Sequence, residues 1–237
     1  MKRRLFAIPL ITAIIVLTAS AAIADPIVLG QSDTFESGTT LGWGIGMPSL
    51  LAPFVAVGGP AGAADHYLQL TSSGDPTLPG GRLAVFNTTQ WAGNYITAGV
   101  NAIVMDVNNL GSTDLYLRLL VADPMFGPPS NIAFSTNAIF LPAGSGWTRV
   151  TFLIGPDDLT VDLGTVIGAL SNATELRLFH NPTAAFPGPG VGIPPVAASL
   201  GVDNITAVAV PEPATMLLLG SGLAGIGAAL RRRKASR

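Results

Sequence analysis

Between about residues 26 and 210, apolar positions recur every second residue in short runs broken by Gly, Pro, Asn and Asp. That spacing is the mark of strands with one face buried, and no stretch carries the 3.6-residue period of an amphipathic helix. The runs YLQLT (67–71), RLAVFN (82–87), AIVMDV (102–107), LYLRLLVA (115–122), AIFL (138–141), WTRVTFLI (147–154), ELRLFH (175–180) and VDNITAVAV (202–210) are predicted strands, and DTFE (33–36) makes nine. In LYLRLLVA, alternation places Leu115, Leu117, Leu119 and Val121 on a core face and Tyr116 and Arg118 on a wetter one. The expected fold is all-β: a two-sheet β-sandwich of jelly-roll type, with a single-sheet barrel as the alternative. Two stretches, 41–65 and 181–199, read as long connections, the second kept out of any ladder by Pro182, Pro187, Pro189, Pro194 and Pro195.

The two ends break this pattern. Residues 1–24 join MKRR, an apolar core and a terminal AIA, the layout of a secretory signal peptide with cleavage expected after Ala24. A body at 25–209 follows, then a tail at 210–237. Within the tail, 214–230 has no charge and would rise about 25 Å as a helix, the lower limit for a transmembrane span. Its basic end at 231–237 would stay in the cytoplasm, leaving the body outside the inner membrane.

Charge sharpens the division. Eight of the 12 Lys and Arg lie in the two ends; the stretch from Asp25 to Glu212 keeps Arg82, Arg118, Arg149 and Arg177 against all 14 acidic residues, a formal charge of −10. No basic stripe exists to displace counterions from a phosphate backbone, so nucleic acid is excluded as a partner. With no cysteine, the exported domain uses no disulfides and must fold on burial alone.

Candidate chemistry is sparse. Two histidines, His66 and His180, and no cysteine argue against a zinc cluster. Asp157 and Asp158 are adjacent, but neighbours on a strand face opposite ways and the preceding Gly-Pro marks a turn, so they do not form a glycosidase pair. No nucleophile elbow is present. The reading is non-enzymatic, with a secreted polysaccharide-active enzyme or a purely structural matrix protein as alternatives.

The opening DTFESGTTLGW (33–43) and closing LGVDNITAV (200–208) resemble the terminal strands of galactose-binding-like, carbohydrate-binding jelly rolls. That resemblance implies adjacent terminal strands and one structural Ca²⁺ held by Glu36 and Asp203, a role suited to carboxylates supplemented by backbone carbonyls. It also implies that Trp43 and Trp147 are core residues, which leaves Trp91 and Tyr95 as candidates for stacking on a glycan. VPEPA followed by a glycine-rich apolar run and RRRK (210–234) resembles the PEP-CTERM sorting signal of Gram-negative bacteria. It implies recognition of Pro211, Glu212 and Pro213 by an exosortase, a membrane-embedded cysteine transpeptidase. The transiently anchored body would then be released to the cell surface or into extracellular polysaccharide.

Overall fold

The computed structural model describes residues 26–46, 51–123, 129–183 and 193–211. The expected signal peptide, the apolar run 214–230, the basic end, Glu212 and Pro213 lie outside the described residues. The strands are β1 (Ser32–Asp33), β2 (Phe54–Val57), β3 (His66–Ser73), β4 (Ala84–Asn87), β5 (Ala102–Asn109), β6 (Leu115–Asp123), β7 (Asn131–Ser135), β8 (Ile139–Leu141), β9 (Trp147–Leu153), β10 (Leu159–Leu163), β11 (Glu175–His180) and β12 (Ala197–Val208). Two short helices, α1 (Tyr95–Ala98) and α2 (Val166–Ser171), join them.

These strands form two antiparallel sheets, the jelly-roll sandwich expected from the sequence. The first runs β2-β3-β12-β5-β9, with β1 pairing the far half of β12, so the terminal strands are neighbours. The second runs β10-β7-β6-β11-β4, with β8 against the start of β6. Between them lies the core. Leu115, Leu117, Leu119 and Val121 of β6 are fully buried, facing Ile103, Met105 and Val107 of β5 in one cluster. Each such side chain contributes about 1.5–3 kcal/mol on burial.

Strand β12 depends on an irregularity to reach that core. Its inward residues are Leu200 and Val202, then Ile205 and Ala207, so the alternation changes phase once. The change falls at Asp203 and Asn204, where the register against β5 shifts and Asn204 takes φ 52°. A bulge with one left-handed residue restores the apolar face; without it Ile205 would point outward. Asn is among the few side-chain-bearing residues that enter this region easily.

Four features differ from the sequence expectation. Strand β2 lies inside the first long connection and Ala197–Ser199 of β12 inside the second, and β7 and β10 are additional strands. Both helices escaped notice because four and six residues are too few to display a period. Asn94 and Thr165 cap them, each side chain accepting a backbone N–H at 2.9 Å. The outward face of β6 is not wet: Leu120, Ala122, Phe134, Phe179 and Ile193 form a second apolar cluster there. Arg118, 3% exposed, lies in the same layer.

Candidate functional site

The terminal strands set up the first region of interest. β1 ends at Asp33, and Phe35 follows in a left-handed conformation (φ 58°) that buries its ring and turns Glu36 outward. The Asp33 carboxylate is itself buried, and its Oδ2 accepts the indole N–H of Trp43 at 2.7 Å, that of Trp91 at 2.7 Å and the amide of Gln90 at 3.1 Å. One oxygen thus holds two tryptophans, whose rings lie 6.0 Å apart.

This arrangement overturns the assignment of Trp91 and Tyr95 to a glycan. Both are 0% exposed, and the Tyr95 hydroxyl donates to the Trp91 carbonyl at 2.8 Å. Neither can offer a ring face to a sugar, and burial pushes the Tyr95 phenol upward. Trp43 is a core residue as expected. Trp147 is not: it is half-buried on the outward face of the first sheet, edge-on to Tyr67 at 5.1 Å. Gly201 lies beneath both rings, where a Cβ would come within 2.9 Å of Trp147 and 3.1 Å of Tyr67. Here a strand glycine serves close approach.

Beside that aromatic pair is an acidic junction. Asp203 lies directly opposite Asp106 in the ladder, and Asp106 opposite Arg149. Asp203 is 1% exposed and accepts from the Asn204 backbone N–H at 2.7 Å and side-chain amide at 3.1 Å, while the same amide donates to Asp106 at 2.9 Å. Burial, then repulsion from Asp65, Asp106 and Glu36, pushes the Asp203 carboxyl up to about 7. Arg149 offers little relief, since it is exposed and 3.7 Å from Asp106. Glu36 behaves oppositely. The His66 backbone N–H at 3.2 Å and its ring Nδ1 at 3.1 Å bond to Glu36 and hold its carboxyl below the usual range.

Glu36 and Asp203 therefore belong to one electrostatic cluster, with Asp65 and Asp106 added by the structure. The donor set has the charge that a divalent cation balances, and its buried member resists ionising without one. Its present geometry is not convergent: Glu36 faces His66, and among the described residues no three Asp, Glu or His side chains are grouped as metal ligands. His180 accepts the Tyr116 N–H at 3.0 Å through Nδ1, and burial lowers its pKa, so it is a neutral structural acceptor. Asp157 and Asp158 occupy the turn before β10, as expected.

The outward face of the second sheet holds the other region. Arg118 donates Nε to the Asn181 carbonyl at 3.2 Å, Nη1 to Ser135 and Thr136 at 2.6 and 2.8 Å, and Nη2 to Thr183 at 2.6 Å. It thereby fastens the chain leaving β11 across the sheet. Near β4, among the described residues, Leu78, Arg82, Phe86, Arg177 and Ile193 line a groove of about 400 Å³. Arg177 is held at 2.6 Å by Glu175 and lies 5.5 Å over the Phe86 ring. Arg82, which also lines the groove, donates Nε to the Ile193 carbonyl at 2.6 Å. A groove this size with an aromatic ring and two guanidinium groups suits a small polar ligand or a short sugar segment. The sequence offered no signal for it, because Arg82 and Phe86 share one run while Arg177 and Ile193 come from two others far along the chain.

The body ends at Val208, and two residues later the Asn101 side chain grips the backbone of Val210, accepting its N–H at 2.7 Å and donating to its carbonyl at 2.8 Å. From there the sequence enters Pro-Glu-Pro. Residues 209–234 match the model of the PEP-CTERM protein-sorting motif. The chain carries this sorting signal. The motif indicates export and a sorted, transiently membrane-anchored state, and implies an exosortase as processing partner. It occupies only the end of the chain.

No curated protein matches the sequence. Among solved structures, an exo-beta-agarase is similar at 14% identity and a TM-score of 0.51, with 78% of this chain and 26% of that one covered. The family 11 carbohydrate-binding module from Clostridium thermocellum, in complex with a beta-1,3-1,4-mixed-linked tetrasaccharide, is similar at 12% identity and a TM-score of 0.47, covering 78% and 99%. A family 27 module from Caldicellulosiruptor saccharolyticus, in complex with mannohexaose, gives 12%, a TM-score of 0.41, and 78% and 100%. The sorted chain spans about a quarter of the agarase structure's length, and that likeness is one of fold, the jelly-roll sandwich.

Proposed function

We propose that this protein is a surface or extracellular-matrix component, sorted by exosortase, whose sandwich is non-catalytic and binds exopolysaccharide in the groove beside β4 and β11. The observation that carries the reading is the junction: the sorting motif begins at residue 209, immediately after β12 ends, so the folded unit being sorted is the sandwich itself. Pro211 and Pro213 suit an extended, non-helical segment, the form in which a processing enzyme takes a peptide, and the charge of Glu212 would oppose its entry into the bilayer. In the groove, Phe86 offers an apolar ring and Arg82 and Arg177 supply hydrogen-bond donors for sugar hydroxyl or carboxylate groups. The processed protein is expected to be retarded in gels containing the producer's own polysaccharide, and Phe86→Ala is expected to remove the retardation. Absence of retardation on every polysaccharide favours the purely structural role; release of reducing ends favours a polysaccharide-active enzyme.

A second reading concerns a structural Ca²⁺ at Glu36 and Asp203. What supports it is the buried Asp203 carboxyl, opposed by three other acids, while the Arg149 guanidinium is exposed and paired at 3.7 Å to Asp106 instead. A calcium ion would relieve this repulsion and tie the first strand to the last, stabilising the folded state by linkage. Glu36 would exchange its His66 contacts for the metal. The test is a calcium-dependent rise in melting temperature that chelator reverses.

A further inference from the structure

We propose that the end of the sandwich from which the sorting motif departs is a membrane-docking face, lying on the lipid surface while the chain is anchored. The inference rests on the anchored state that the motif implies.

Four segments meet at that end. The Ile27 N–H donates to Ala92 at 2.9 Å, Gly93 bridges to Ala173, Gly30 donates to Ala207 at 2.9 Å and Asn101 donates to Val208 at 3.1 Å, while α1 packs against α2. Residues 26–32, 88–101, 164–174 and 207–211 contain no Asp, Glu, Lys, Arg or His, within a body whose formal charge is −9. Of the acids next to these segments, Asp33 and Glu175 are buried, Asp162 lies two residues before Gly164, and Asp25 and Glu212 adjoin Pro26 and Pro211 in the sequence, outside the described residues. Large exposed side chains here are aliphatic: Val28 and Leu29 at 53%, Ile167 at 52%, Ile96 at 42% and Val210 at 37%. An acidic exported domain has every reason to display charge at an end that faces water, and none at an end that faces lipid.

Distance selects the occupant. Val210 is gripped on both backbone atoms by Asn101, so the body does not fray to lengthen the tether. The apolar run begins at Ala214, and four extended residues reach at most about 14 Å. A headgroup layer is roughly 5–8 Å thick. With the run in the bilayer, this aliphatic end is therefore held within several ångströms of the headgroups. Absence of basic residues makes the matching partner a zwitterionic lipid interface rather than an anionic one.

The chain has no cysteine, so single labelling sites are clean. Full-length protein carrying Leu29→Cys or Ile167→Cys with an environment-sensitive fluorophore is reconstituted into phosphatidylcholine vesicles, beside Ser112→Cys in the exposed turn between β5 and β6. Labels at 29 and 167 are expected to be quenched by nitroxide lipids and shielded from aqueous iodide, and the label at 112 to show the reverse. Equal iodide access at 29, 167 and 112 in vesicle-bound protein overturns the docking face and leaves anchoring intact. Failure of the chain to remain with vesicles overturns both. Shielding that persists for the protein without lipid assigns the face to a second copy and overturns the lipid partner.

Discussion

Asp33 organises more of the structure than its place in a two-residue strand suggests. Its single oxygen serves both Trp43 and Trp91, and truncation strands two buried indole donors. Asp33→Ala is expected to cost about 3 kcal/mol, within the range for charged hydrogen bonds and orphaned donors, and to weaken the near-ultraviolet tryptophan signal. Asp33→Asn keeps an acceptor and is expected to recover part of both; equal loss in the two variants contradicts the role. Asp203 has the opposite sign. Its carboxyl titrates near 4 in the unfolded chain and at about 7 in the folded one, so the folded state binds the extra proton between those values. Stability is therefore present in full below about pH 4 and falls as pH rises toward 7, in the absence of a cation. In chelator, melting temperature is expected to drop between pH 5 and 8 more steeply for the native chain than for Asp203→Asn. Calcium at pH 8 is expected to raise it in the native chain alone. Parallel pH profiles contradict the assignment.

At the scale of elements, the outward face of the second sheet depends on Arg118. Four carbonyls from two segments converge on its guanidinium, and Arg118→Leu leaves them without that donor while keeping the apolar bulk. A loss of about 3 kcal/mol is expected, since each orphaned buried carbonyl costs ~1–3 kcal/mol when water does not replace the donor. Protease cleavage in residues 181–195 should also accelerate, because the fastening of that segment is lost; unchanged cleavage contradicts it. This covering layer was the feature least legible in the sequence. Alternation along LYLRLLVA correctly separated the two faces of β6, yet it could not say that the chain after β11 returns over the second face. Strand β2 hid among glycines, and the first half of β12 is small-residue sequence beside prolines. The strands with long alternating runs, β3, β5, β6, β9 and β11, were readable because their inward residues form the main core. Trp91 and Tyr95 misled for a tertiary reason: nothing local announces that Asp33, 58 residues away, captures the Trp91 indole.

For the whole molecule, the distribution of charge and the position of the motif agree. Pro26 and Val210 lie at one end, where the large exposed side chains are aliphatic, while the paired acids and the groove lie along the sheets. Such a layout suits a domain delivered through the membrane, held briefly against it and then used elsewhere. The ends were the most legible part of the sequence, since targeting and sorting signals are written in contiguous residues. The groove was the least, being assembled by folding. The central claim, a sandwich freed from its anchor by processing at the sorting motif, is tested most directly by intact-mass spectrometry of the protein recovered from its native cells. The account predicts a mature chain lacking residues 1–24 and ending near Pro211–Pro213. Recovery of most molecules with Arg231–Arg237 still attached would contradict it.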